Sequence, residues 1–145
     1  MAMISKSCEY GLRAVLYIAS RKTEDYLSIR EISDALGISF HFLTKILQRL
    51  TEQGILQSYR GPNGGVSLAR PLASVTLLDV ITAIEGPEMF TSCILGLTGC
   101  GESNPCPLHK AWAKERVRLE KIFRTTTLAA MSKSIRAHDG RLSDR

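Results

Sequence analysis

Ser28-Ile29-Arg30-Glu31-Ile32-Ser33-Asp34-Ala35-Leu36-Gly37-Ile38-Ser39-Phe40-His41-Phe42-Leu43-Thr44-Lys45-Ile46-Leu47-Gln48-Arg49-Leu50 decides the fold. Ser28 and Glu31 have capping-box spacing, and Ile29, Ile32, Ala35 and Leu36 then share one helical stripe. Gly37 ends that helix, since glycine tolerates the left-handed turn that closes one. Ser39 can cap a following helix whose inner face is Leu43, Ile46, Leu47 and Leu50. Its outer face presents His41, Thr44, Lys45, Gln48 and Arg49. Two short helices joined by Gly37-Ile38-Ser39 predict a helix-turn-helix, with the second as recognition helix.

Downstream, Ile55-Leu56-Gln57-Ser58-Tyr59-Arg60 and Val66-Ser67-Leu68-Ala69 flank Gly61-Pro62-Asn63-Gly64-Gly65. Two β runs around a glycine-rich turn predict a hairpin, and behind a helix-turn-helix that hairpin is a wing. Upstream, about Ser5 to Ser20 is apolar nearly all round, as for a helix buried mid-domain. The charged run from Arg21 to Asp25 reads as a solvated connection. Thr76 and Asp79 open another helix, which Gly86-Pro87 stops. A long helix from about Pro107 carries Trp112, Leu119, Ile122 and Phe123, and a last one starts at Thr126 or Thr127. The expected fold is mainly α with a small β-hairpin, a winged helix-turn-helix plus a long dimerisation helix. Residues 1–86 form the DNA-binding unit, 87–107 a cysteine-rich loop, 108–136 the dimerisation helices and 137–145 a polar, frayed tail.

With 145 residues the chain can bury a core without disulfide staples, and a net charge of +5 favours an acidic partner such as nucleic acid. No apolar run approaches a bilayer span and no signal-peptide pattern opens the chain, so a cytoplasmic, membrane-free setting is expected. Disulfides are unfavourable there. No nucleotide loop, paired carboxylate or nucleophile–base pair suggests an enzyme.

The polar face of the recognition helix can read a major groove. Gln48 suits adenine, Lys45 or Arg49 suits guanine or phosphate, and Ser39 at the helix start suits a phosphate. Arg60 points the wing at the minor groove or backbone, where Gly61, Gly64 and Gly65 permit close approach. The plain alternatives are a solvated amphipathic helix and an ordinary tight turn. The latter explains the glycines but leaves the arginine unexplained.

Three of the four cysteines, Cys93, Cys100 and Cys106, lie in one loop with His109 just beyond. Soft thiolates select zinc, copper(I) or iron–sulfur clusters. Structural zinc usually takes close cysteine pairs, which the six- and five-residue gaps here lack. A Cys3His zinc site remains open, as does a metal-free switch in which Cys100 and Cys106 form a disulfide. Cys8 reads as a small buried side chain on the first helix.

Tyr10-Gly11-Leu12-Arg13, Ile38-Ser39, Leu47-Gln48-Arg49-Leu50 and Arg60-Gly61-Pro62-Asn63-Gly64-Gly65 resemble the Rrf2 family of bacterial winged-helix repressors, over about Met3 to Ile135. The family includes cluster-bearing IscR, NsrR and RirA types and a cluster-free CymR type. The resemblance implies a homodimer, a long helix crossing to the partner, and Cys93, Cys100 and Cys106 as cluster ligands. By the same resemblance His109 matches an IscR-type fourth ligand, and Glu9 an acidic ligand that NsrR types supply from the other subunit. It leaves 2Fe–2S or 4Fe–4S undecided. Thr44 departs from an acidic residue of the IscR type, and the His41, Thr44 and Lys45 combination is nearer to NsrR or RirA. The expected function is a homodimeric DNA-binding regulator, a repressor on a palindromic operator, whose affinity an iron–sulfur cluster controls in response to iron, redox state or nitric oxide. The alternatives are a cluster-free regulator with a zinc or thiol-switch loop, and a small iron–sulfur redox protein.

Overall fold

The computed structural model describes residues 3–21, 25–138 and 141–144. The elements run α1 (Lys6–Ser20), α2 (Ile29–Leu36), α3 (Phe40–Glu52), β1 (Leu56–Tyr59), β2 (Gly65–Leu68), α4 (Leu77–Glu85), α5 (His109–Thr125) and α6 (Leu128–His138). Residues 22–24 of the charged connection lie outside the described residues.

α1 starts where the Ser5 hydroxyl accepts from the Cys8 amide at 3.1 Å. It buries Cys8, Gly11, Ala14, Val15, Ile18 and Ala19 and packs on α3, α4 and α6, the central position its apolar content predicts. Gly11 is needed at that crossing. A Cβ there would lie 2.3 Å from the Ile84 side chain on α4 and 3.2 Å from Ile46 on α3.

The helix-turn-helix forms as the stripe requires. Ser28 accepts from the Glu31 amide at 3.1 Å, but the Glu31 carboxylate turns to Tyr17 and Arg21, leaving the capping box half made. Gly37 closes α2 in the left-handed region at φ 67°. Leu43, Ile46, Leu47 and Leu50 are buried on α3, each contributing ~1.5–3 kcal/mol. Ser39 stands at the N-cap position, yet its hydroxyl makes no capping bond.

β1 and β2 pair antiparallel with Leu56 opposite Leu68 and Tyr59 opposite Gly65; β1 loses one residue at each end of the expected run, and β2 keeps its length but starts one residue earlier. Leu27, just before α2, adds a bridge to Val66 with both backbone bonds at 2.9 Å. The wing is thereby fastened to the head of the helix-turn-helix.

Thr76 and Asp79 complete a reciprocal capping box on α4. The α5–α6 connection returns beside it, where Leu77 N–H donates to Thr126 and Leu128 N–H to Val75, both at 2.8 Å. α6 buries Leu128, and its buried Ser132 hydroxyl donates to the Ala19 carbonyl on α1. It runs on to His138, so residues 137 and 138, assigned by composition to the tail, are helical. α5 differs from the rest: it is 17 residues long and none of them is buried. Among the described residues no helix is long and apolar enough to cross a membrane.

Candidate functional site

The recognition helix and the wing enclose an open groove lined by Arg30, Phe40, Thr44, Gln48, Arg60 and Gly64, among others. Gly61 and Gly65 line it too, so six of the expected DNA-reading residues face one another here. Gln48 is exposed, its amide 3.4 Å from Glu52. Thr44 is half-buried, and its hydroxyl donates back to the Phe40 carbonyl at 2.7 Å.

Four expected residues lie elsewhere. Ser39 and His41 are exposed at the start of α3, outside the groove. Lys45 and Arg49 border a separate depression with Ser7 and Ile84. Arg49 is also engaged within the chain, where its Nη1 donates to the Ile84 carbonyl at 3.0 Å and ties α3 to α4.

The wing glycines have a packing role beside any approach to DNA. A Cβ on Gly64 would lie 2.3 Å from the Tyr59 carbonyl oxygen, and one on Gly65 would lie 2.0 Å from that of Leu27. Sequence reasoning missed Arg30 of α2, whose guanidinium stacks over the Phe40 ring at 4.2 Å and joins the groove wall. It missed Tyr59 as well, which is exposed in the groove and packs on Tyr26. Arginine on the solvent side of α2 carries no periodic mark, so only the fold reveals it.

The second site is the cysteine loop between α4 and α5. Sγ atoms of Cys93, Cys100 and Cys106 all lie within 4.8 Å of one another, and Cys93 and Cys106 are 3.6 Å apart. The Cys106 amide donates to Cys100 Sγ at 3.4 Å. A half-turn over Gly101–Asn104 folds the loop back on itself. Among the described residues the cysteines are free thiols, and Cys106 is buried.

The expected histidine arrives as well. Pro107 sits in the turn ahead of α5 rather than inside it, and His109 is the first helical residue. Its Nδ1 lies 3.4 Å from Cys100 Sγ, while Nε2 lies 3.2 Å from the Glu102 carboxylate. A carboxylate only accepts, so Nε2 is the donor in that pair, and in the neutral ring Nδ1 would be free to act as a ligand beside Cys100. Glu102 was not foreseen; two residues past Cys100, it reads as a loop charge until His109 is seen beside it. Glu9 stays on α1, paired with Lys6 at 3.1 Å.

The thiols differ in acidity. The Leu97 amide donating to Cys93, helped by Leu95 and opposed by desolvation, lowers that thiol to about 7. At Cys100 the Cys106 amide pulls the other way from desolvation and the two neighbouring thiols, and the net direction is up. Burial, reinforced by the Glu85 carboxylate, pushes the Cys8 thiol up to about 12 and marks it as a packing residue. Three converging thiols, one already acidic, fit a thiolate-bound metal centre.

A helix-turn-helix with an attached wing and an outward basic groove defines a winged-helix DNA-binding protein. The family model for Rrf2, described as an iron-dependent transcriptional regulator, matches residues 4–134, and the chain belongs to that family. It is 30% identical over 131 residues to the HTH-type transcriptional regulator IscR of Yersinia pseudotuberculosis, which covers 90% of this chain and 79% of the relative. Among solved structures it is similar to CymR, the global cysteine regulator of B. subtilis, with TM-score 0.77 and 25% identity over 92% of this chain and 98% of that one. IscR of T. potens gives TM-score 0.75 and 25% identity over 95% and 92%. The chain is a transcriptional regulator and not an enzyme.

Proposed function

We propose that this chain is a homodimeric repressor whose grip on a palindromic operator is set by an iron–sulfur cluster on Cys93, Cys100, Cys106 and His109. The observation that carries this reading is the convergence of three sulfurs within 4.8 Å, with His109 Nδ1 facing one of them. When bound, the cluster supplies a cross-link that iron supply, oxidants or nitric oxide can break.

The chain's own residues supply the rest. Thr44 and Gln48 on α3 and Arg60 on the wing enter adjacent grooves of the duplex, and Arg30 reaches the backbone beside them. Ser39, His41, Lys45 and Arg49 flank that contact on phosphates. α5 pairs with its symmetry mate, because Val117 and Ile122 on it are 67% and 56% exposed. In this arrangement residues 1–86 read DNA, 87–107 sense and 108–136 dimerise, all in the cytoplasm with the DNA. Cysteine residues of the loop bind only when deprotonated, and Cys93 is prepared for that near neutral pH. Glu9 is the alternative fourth ligand, and it would have to come from the partner chain.

Anaerobic reconstitution with iron and sulfide tests the reading. Charge-transfer bands in the visible, a changed affinity for operator DNA, and altered bands in His109→Ala but not Glu9→Ala are expected. A chain that takes up zinc but never iron and sulfide overturns the cluster. The 3.6 Å contact between Cys93 and Cys106 favours a second reading in that event, a cluster-free regulator with these two as its thiol pair. It differs from the Cys100–Cys106 pair that spacing alone suggests.

A further inference from the structure

Between α4 and the cysteines the chain takes a short 3₁₀ turn over Pro87–Phe90, and the Ser92 amide then donates to the Glu88 carbonyl at 2.8 Å. Ser92 directly precedes Cys93. Its carbonyl receives two donors from one face of α5: Trp112 Nε1 at 3.1 Å and Arg116 Nη1 at 2.7 Å. One helical turn apart, these two side chains close on a single oxygen. Further along α5, Phe123 packs edge-on against Phe90, with ring centroids 5.7 Å apart. The segment entering the cysteine centre is therefore docked along most of α5. From Ile94 to Pro105 the loop is largely exposed, and Cys106 is carried by the chain entering α5. The Ser92 clamp is the polar contact next to Cys93 that ties it to the helix bearing His109.

Arg116 has a further property. Its Nε is buried and, among the described residues, has no hydrogen-bond partner. A buried guanidinium donor without a partner is costly, and an electron-rich neighbour would relieve it. Arg116 Nη1 is bonded to Ser92, the residue next to Cys93, and a fixed positive charge near a thiolate centre favours its reduced, more negative state.

We infer that Trp112 and Arg116 are positioning residues for the cysteine centre, holding Cys93 in reach of Cys106 through the Ser92 carbonyl, and that the Arg116 charge also tunes the centre. This rests on the cluster reading for its electrostatic half, while the clamp itself stands without metal.

The test compares Trp112→Phe, Arg116→Lys and Arg116→Gln with Arg118→Gln, a neighbour exposed on α5 and paired with Glu115. In metal-free protein, hydrogen exchange of the peptide spanning residues 88–93 is expected to quicken severalfold in Trp112→Phe and Arg116→Gln. Peptides from α1 to α4 and the Arg118→Gln protein should be unchanged, which also checks folding. After reconstitution, Trp112→Phe and Arg116→Gln should hold iron more weakly, by up to roughly the 10–100-fold that loss of a group supporting a metal ligand costs in affinity. The midpoint potential should fall in Arg116→Gln, recover in Arg116→Lys, and stay at the wild-type value in Trp112→Phe, which keeps the charge. Unchanged exchange in the metal-free variants overturns the clamp. Quickened exchange with an unmoved potential overturns the tuning role, and quickened exchange in a chain that never binds iron retains the clamp while removing the cluster reading.

Discussion

Replacing Gly65 by alanine tests how the wing is held. The added Cβ would stand 2.0 Å from the Leu27 carbonyl oxygen and 2.4 Å from its carbon, both backbone atoms that cannot swing aside. Carbon–oxygen contacts settle near ~3.3–3.6 Å, so the strands must part by roughly 1.3 Å. That opens the Leu27–Val66 bridge, whose two bonds are 2.9 Å each. Two net hydrogen bonds at ~0.5–1.5 kcal/mol apiece, with the strain of overpacking, put the loss at about 2–4 kcal/mol. At ~2–4 °C per kcal/mol for a chain of this size, the melting temperature should fall by about 5–15 °C. Gly54→Ala supplies the control: it sits at φ 76° with nothing within 4 Å, so only the left-handed backbone is disturbed, at ~1–2 kcal/mol. Circular-dichroism melts of metal-free protein give the stabilities, and anisotropy with a selected duplex gives the affinity at a temperature where both variants are folded. Gly65→Ala should bind more weakly, because Arg60 rides on the displaced strand end. If Gly65→Ala melts within a couple of degrees of wild type, or less severely than Gly54→Ala, the close-approach argument is refuted.

The other predictions follow from the two sites and from α5. Arg60→Ala should weaken binding to all duplexes, while Gln48→Ala should cost ~1–3 kcal/mol on the preferred operator and little on random DNA; equal loss on both would place Gln48 on phosphates instead. Val117→Glu with Ile122→Glu should convert a dimer into a 16.0 kDa species in sedimentation, and a wild type already monomeric at micromolar concentration would remove the dimer. In metal-free protein Cys93 is lowered to about 7, so its thiolate fraction grows as pH rises through 7 and levels off above it. Iodoacetamide labelling read by mass spectrometry should follow that curve at Cys93 and leave Cys8, raised to about 12, unlabelled until the chain unfolds.

Local signals in the sequence carried the reading head well. Gly37, the Leu43–Leu50 stripe and the Thr76–Asp79 box act within one or two helical turns, and each lies where its spacing predicts. Gathering of the cysteines was legible too, because a short glycine-rich loop can hardly keep its thiols apart. Contacts between distant segments were not. Leu27 pairs with Val66 across 39 positions and gives Gly65 its role, yet Leu27 looks like an ordinary apolar residue in its own neighbourhood. Arg49 looks like a base-reading side chain from α3 alone, and only the approach of α4 shows its guanidinium bonded to Ile84. Ser92, Trp112 and Arg116 escaped for the same reason: a helix stripe predicts what α5 packs on, not which carbonyl its polar groups will find.

Those long-range contacts link the helix-turn-helix to the cysteine loop by a short path. α4 meets α3 through Arg49 at the Ile84 carbonyl, in its last turn, and the next residue, Glu85, holds the Ser5 amide at 2.8 Å. Gly86 follows at φ 89°, then the turn that delivers Ser92 to α5. The first thiol lies only nine positions along the chain from the residue gripping the recognition helix, 84 to 93, and both ends of that stretch are bonded to helices. A change in how the thiols are held therefore need not cross the hydrophobic core to reach α3. It can pass along a short backbone segment whose far end is a charged hydrogen bond, and shifting such a bond is enough for the ~1–3 kcal/mol that separates two functional states of a regulator.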